Sequence, residues 1–214
     1  MDVVGDYDAD GFVVIRGLIS KEVARAFMSG IKEDLGPAAI RLSHSTEHPE
    51  ILTRPTYQVH GKSYRPMNFF LWGLTPMIGR LVGREILPTF DYFRLYREGD
   101  ICRVHSDRPA CQHAVSLTLD YSDGEPWPLE VGRYTVQSYP PLQERWDKEY
   151  SSIEMEVGDA VLYQGCTYPH GRTTPNPNAW SAHLFLCYVD RSGPHLGEAF
   201  DRNMNLDPVN FTFA

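Results

Sequence analysis

The sequence predicts a mainly β fold with flanking helices, and three observations predict it. Helical spacing is confined to the first forty residues and to residues 69–82. From Leu87 to about residue 190, short β-rich runs recur between Gly, Asp and Pro turns, as in a sandwich or barrel. No repeat, low-complexity tract or linker separates the two regions, and 214 residues are enough for one domain but short for two. One domain is therefore expected over 1–214. Its N-terminal strand and helices (1–86) pack on a β core (87–190), and a tail follows (191–214).

The elements follow in chain order. Gly11-Phe-Val-Val-Ile-Arg-Gly-Leu18 is a β-branched run bounded by glycine and predicts a strand. Ser20 is placed to cap a helix carrying Val23, Ala24, Phe27, Met28 and Ile31, which Gly36-Pro37 should stop. Residues 43–68 are polar and contain His and Pro, so a loop or irregular strand is expected. Phe69 to Val82 predicts a second helix, interrupted near Pro76. The expected strands are then Phe90–Tyr96, Ile101–Val104, Ala114–Tyr121, Leu129–Ser138, Ile153–Val157, Ala160–Tyr163 and Ala179–Val189.

Composition narrows the function classes. A formal charge of −8 argues against nucleic-acid binding, which calls for a basic face. The longest apolar stretches are far too short to cross a bilayer. Cys102, Cys111, Cys166 and Cys187 show no CxxC spacing, and no basic-then-apolar leader is visible, so free thiols in a reducing cytoplasm are expected.

The chemistry centres on His105-Ser-Asp107, at the end of a short strand run. On an extended chain, residues i and i+2 share a face, so imidazole and carboxylate converge. Two such ligands need a third, because two His and one carboxylate leave positions open for co-substrate and oxygen at a non-haem iron. His170 supplies it, 65 residues further on and beyond the Gly158-Asp159 turn and its strand. The competing reading is a surface His beside a turn Asp. His44, His48, His60, His113 and His195 lack comparable spacing and read as surface or structural residues.

Four stretches together resemble the iron(II)/2-oxoglutarate-dependent oxygenases, most of all the prolyl-hydroxylase-like branch. They are Leu87-Pro-Thr-Phe-Asp-Tyr-Phe-Arg-Leu-Tyr-Arg-Glu-Gly-Asp100, His105-Ser-Asp-Arg-Pro109, Gly158-Asp-Ala-Val-Leu-Tyr163 and His170-Gly-Arg172. The opening run from Gly11 to Leu18 is similar to the lead-in strand of phytanoyl-CoA-hydroxylase-like members. The resemblance implies a double-stranded β-helix (a cupin-like jelly roll) over 87–190, with Fe(II) held by His105, Asp107 and His170. It also implies 2-oxoglutarate as co-substrate, chelating the metal and decarboxylated to succinate. Halogenating relatives have a small residue at the carboxylate position, so Asp107 favours hydroxylation.

One departure is plain. Most members carry Arg or Lys about ten residues after the distal His, to pair with the far carboxylate of 2-oxoglutarate, whereas here the stretch is Ala179-Trp-Ser-Ala182. Arg94 is the first replacement, because alternation puts Tyr92, Arg94 and Tyr96 on one face. Its structural alternative is an internal pair with Asp91 or Asp120. Tyr96 resembles a family tyrosine that hydrogen-bonds the co-substrate. His183 is a second candidate, sharing a face with Ser181 and Phe185, and otherwise reads as a core residue. Thr118, with Ser116, adds hydroxyl donors unless both face solvent while Val115, Leu117 and Leu119 fill the core. Arg103, Arg108 and Arg172 stand near the ligands in sequence and are candidates for substrate binding, with solvated or ligand-orienting roles as alternatives. Trp127, Trp146 and Trp180 read as packing residues.

Three function classes follow: an iron(II)/2-oxoglutarate hydroxylase of a small molecule or peptide side chain, another metal enzyme on a cupin-like barrel, and a non-catalytic ligand-binding jelly roll. Residues 43–68 and 123–150 are the expected specificity loops, and neither substrate identity nor oligomeric state follows from the sequence.

Overall fold

The computed structural model describes residues 1–39 and 49–201. A short strand β1 (Asp2–Val4) and one helical turn α1 (Tyr7–Asp10) precede the predicted lead strand β2 (Phe12–Arg16). Then come α2 (Lys21–Ala39), a 3-10 turn (Pro49–Ile51), β3 (Tyr57–His60) and α3 (Pro66–Val82). The β region contains β4 (Ile86–Arg97), β5 (Cys102–His105), a 3-10 turn (Pro109–Cys111), β6 (His113–Tyr121) and β7 (Leu129–Gly132). It continues through β8 (Tyr150–Ile153), β9 (Ala160–Tyr163), β10 (His170–Arg172) and β11 (Trp180–Asp190) to a closing 3-10 segment, Leu196–Asp201.

The strands form two antiparallel sheets, one of seven in the order β1-β2-β9-β6-β11-β4-β3 and one of four in the order β5-β10-β7-β8. Period-two alternation divides the larger sheet's side chains between two cores. Phe93, Val115, Leu117, Leu162, Leu184 and Leu186 point outward and are covered by Met28 and Ile31 of α2 and by Met67, Leu71 and Ile78 of α3. Val14, Ala114, Val161, Tyr163 and Cys187 point inward, against Leu129, Val131, Ile153 and Met155 of the smaller sheet and its loops. β6 is therefore buried on both faces. Ser116 and Thr118 are as fully covered as Val115, Leu117 and Leu119, so the solvent-facing alternative for these hydroxyls is corrected.

One helix runs past its expected stop and the other through its expected interruption. Ser20 does cap α2, its Oγ accepting from Val23 N–H (3.3 Å), but the helix continues through Gly36-Pro37 to Ala39. α3 begins at Pro66, where a first-turn proline sacrifices no bond, and passes Pro76 without a break. In each case the carbonyl freed by the proline lies four residues back, on Glu33 or Trp72. Both are exposed residues, so water can satisfy it. The strand expected over Leu129–Ser138 stops at Gly132, and Val136 N–H finds Thr167 O (2.8 Å) outside the ladder. β1, α1 and β10 were not foreseen. His44 and His48, part of the 43–68 loop and residues 202–214 of the tail lie outside the described residues.

Candidate metal centre

β10 pairs antiparallel with β5, and the register sets His170 directly opposite His105. The two imidazole centroids are 4.4 Å apart. His105 Nδ1 lies 2.8 Å from Arg103 O and His170 Nδ1 lies 3.1 Å from Tyr168 O. A carbonyl can only accept, so each Nδ1 carries the proton and each Nε2 presents its lone pair. Asp107 sits between the rings, Oδ1 3.6 Å from His105 Nε2 and Oδ2 3.4 Å from His170 Nε2. Two ligand atoms at ~2.1 Å from one ion and at right angles would be ~3.0 Å apart, so the separations suit a shared ion. Among the described residues, this is the one cluster of three His, Cys, Asp or Glu groups so arranged.

The carboxylate is held from behind. Asp107 N–H donates to Gly165 O (2.8 Å), and a Cβ at Gly165 would lie 2.5 Å from Asp107 Oδ2. Only glycine allows this approach. Burial, with His170 next, pushes the His105 imidazole down to about 4, which keeps it neutral and able to ligate. Burial pushes the Asp107 carboxyl up, but neighbouring His170, then His105 and Arg94, hold it below the usual carboxylate range.

A small cavity behind the ligands is walled by Arg94, Tyr96, Cys102, Tyr163, Arg172 and Phe185. Arg94 and Arg172 are both buried, and neither has a carboxylate within 4 Å among the described residues. The expected alternative pairs of Arg94 with Asp91 or Asp120 are therefore absent. Arg94 instead donates Nε and Nη2 to Gln58 Oε1 (3.0 and 2.7 Å) and Nη1 to Tyr96 Oη (3.0 Å). Three of five N–H donors are occupied and two remain. Arg172 donates Nη1 to Trp127 O (2.5 Å) and stacks 4.8 Å from the Trp127 ring centroid. Its Nη2 makes long contacts, 3.5 Å to Ser116 Oγ, 3.5 Å to His183 Nδ1 and 3.9 Å to Met155 Sδ.

On the open side, a cavity of about 1040 Å³ reaches from His105 and Asp107 to the surface. Phe90, Tyr92, Arg108, Tyr139, Trp72 and Phe200 are among its walls. Arg108 lies 4.3 Å above the Phe90 ring centroid. Phe200 holds φ +62°, in the left-handed region that bulky residues avoid, and stacks on Trp72 at 5.7 Å.

The structure brings His105, Asp107, His170, Arg94 and Tyr96 together. Four other candidate residues lie elsewhere or without a charge to offer. Arg103 does not reach the large cavity; Glu144 Oε1 takes its Nε and Nη2 (3.0 and 2.6 Å), and the Glu50 and Leu52 carbonyls take Nη1. Arg172 lines the small cavity and not the large one. Thr118 borders neither cavity and meets His183 Nδ1 at 3.4 Å. His183 is buried with Nε2 unpartnered among the described residues, and burial, then Arg172 and Arg94, holds its pKa well below the ordinary value. A neutral His183 offers no charge to an anion. Gln58, Asp91, Trp72 and Phe200 were missed. Pairing of β3 with β4, which sets Gln58 opposite Arg94, was the signal for the first, and no sequence pattern marks the last.

No family model and no curated protein matches the chain. Solved structures do. A Pseudomonas putida prolyl-4-hydroxylase superposes with TM-score 0.60 at 14% identity, over 87% of this chain and 96% of that one. The non-haem α-ketoglutarate-dependent carbocyclase SnoK from nogalamycin biosynthesis gives 0.63 at 13% identity, over 89% and 87%. HygX from Streptomyces hygroscopicus, with nickel, 2-oxoglutarate and hygromycin B bound, gives 0.62 at 13% identity, over 87% and 85%. The fold is therefore the double-stranded β-helix these oxygenases share.

Proposed function

We propose that this chain is an iron(II)- and 2-oxoglutarate-dependent oxygenase that hydroxylates a small molecule or a peptide side chain. One observation carries the reading. A two-His, one-carboxylate triad stands beside two buried guanidiniums that have no carboxylate within 4 Å among the described residues, and an unpaired buried cation is destabilising unless a ligand completes it. The fold shared with structures that hold metal and 2-oxoglutarate supports it.

Bound iron would supply oxygen activation coupled to loss of carbon dioxide from the co-substrate. His105, Asp107 and His170 would hold the metal, and the Nδ1–H bonds to Arg103 O and Tyr168 O fix their ring planes. Arg94 anchors the far carboxylate of 2-oxoglutarate through its two spare N–H groups, with Gln58 and Tyr96 fixing the fork. Arg172 adds positive potential from the opposite wall. Phe185, Tyr92 and Tyr163 exclude water from that side.

The test is anaerobic titration of the iron(II)-loaded protein with 2-oxoglutarate, followed by succinate measurement on admission of oxygen. Metal-dependent binding and succinate release are expected. A protein that binds iron(II) but neither binds nor turns over 2-oxoglutarate refutes the proposal.

A further inference from the structure

The large cavity has a second chemical feature, on the face of β4 opposite Arg94. Asp91 lines that cavity yet is only 2% exposed. Its carboxylate accepts two hydrogen bonds from Asn68 Nδ2 (3.0 and 3.2 Å) and has no Lys, Arg or His within 4 Å among the described residues. The backbone is shaped around it, because a Cβ at Gly61 would lie 1.7 Å from Asp91 Oδ1. We infer that Asp91 binds a protonated amine of the substrate, whose body lies against the aromatic walls leading to the metal.

The argument is electrostatic. A largely buried carboxylate with a neutral partner is destabilising, and about half of its four lone-pair sites remain unused. An ammonium supplies both missing terms, a positive charge and up to three N–H donors. The same cavity offers an aromatic wall to a cation where Trp72 stacks on Phe200 (5.7 Å), whereas the Phe90 and Tyr92 faces are already taken by Arg108 and Arg94 (4.3 and 5.0 Å). Glu50 and Asp201 add negative charge to its rim. Lys62, Arg94 and Arg108 oppose them, but Arg108 is committed to the Phe90 face and Arg94 leaves β4 on the other face, toward Gln58 and Tyr96. A purely structural Asp91, joining α3 to β4 through Asn68, would serve equally well as Asn and would give no selectivity for charge.

As a statement about substrate, this rests on the oxygenase reading; as a statement about binding, it does not. The test is therefore binding to the full chain, by calorimetry and tryptophan fluorescence, with and without iron(II) and 2-oxoglutarate under anaerobic conditions. The probes are 2-phenylethylamine, glucosamine and spermidine, each against its N-acetylated form. At least one amine should bind ten-fold or more tightly than its acetylated partner. Asp91→Asn should abolish that preference, whereas Asn68→Ala, which cuts the structural link and spares the charge, should retain it. The inference is overturned if no amine outbinds its acetylated form, if Asp91→Asn keeps the preference, or if Asn68→Ala loses it equally. Absence of 2-oxoglutarate turnover would count against the oxygenase reading alone.

Discussion

Replacing Arg94 with Met is the most direct probe of the proposed co-substrate site. The change removes a buried guanidinium with two free N–H donors and leaves a side chain of similar length. A desolvated, charge-assisted fork to a carboxylate contributes roughly 2–4 kcal/mol, so 2-oxoglutarate binding should weaken about 30- to 1000-fold. Fold stability should change little without ligand. Losing an unpaired buried charge offsets the roughly 1–3 kcal/mol lost when Gln58 Oε1 and Tyr96 Oη forfeit their donor. The assay is anaerobic calorimetry of 2-oxoglutarate on iron(II)-loaded protein, with iron(II) affinity and urea unfolding measured alongside. Arg94→Lys should recover only part of the loss, since a point charge does not reproduce the fork. A folded Arg94→Met protein that binds 2-oxoglutarate within three-fold of wild type refutes the assignment, and the role would pass to Arg172.

Three further outcomes are expected. His105→Ala, Asp107→Ala or His170→Ala should each weaken iron(II) binding at least 100-fold while the circular dichroism spectrum is kept; retention of wild-type affinity by any one removes it from the ligand set. Gly165→Ala should weaken metal binding about ten-fold or more without unfolding the chain, because the new Cβ displaces Asp107, and an unchanged titration would count against that contact. Burial, tempered by Asn68, pushes the Asp91 carboxyl up to about 6, so the folded state holds this proton more tightly than the unfolded state, and stability is lost as pH rises toward and through 6. Its neighbours Cys187 and Tyr188 are themselves shifted up and stay neutral. Asp91→Asn should therefore gain roughly 1–2 kcal/mol over wild type between pH 5 and pH 8 in urea unfolding, and parallel pH profiles would show the carboxylate to be adequately solvated.

What the sequence made legible was whatever depends on near neighbours along the chain. The His-x-Asp spacing, the Tyr92, Arg94 and Tyr96 alternation and most of the strand runs survive in the structure because a two-residue period is a local property, although Leu129–Ser138 is cut at Gly132 and Ile153–Val157 keeps only Ile153 in a strand. The distal ligand was found, but the strand carrying it was not. Three residues, His170-Gly-Arg, have no periodicity, and β10 exists only because β5 and β7 flank it. Arg103 was misplaced for a related reason. Alternation gives the face a side chain leaves from, and Glu144, forty-one residues away in sequence, decides where it ends. Both prolines were over-read, because a proline's penalty depends on whether water reaches the carbonyl it frees. Asp91 could not be recognised at all, since its significance lies in the cations that are not beside it.

The strand order of the larger sheet bears on how the molecule is built during synthesis. Phe12 of β2 pairs with Tyr163 and Ile15 with Ala160, so β9, the partner on that edge, leaves the ribosome about 150 residues after β2. The central ladder has the same character, with Arg94 opposite His183. Topologies dominated by such distant pairs fold slowly, because the loop-closure entropy must be met before the contacts form. Until β9 arrives, the apolar Phe-Val-Val-Ile run of β2 is an open edge available to any passing strand. While residues 17 to 159 are being made, that edge of β2 has no β9 to pair with, and an unpaired edge is where a nascent chain aggregates. The candidate metal site is likewise completed late. His105 and Asp107 are made long before His170, and the pairing that opposes the two imidazoles forms only once β10 has been added.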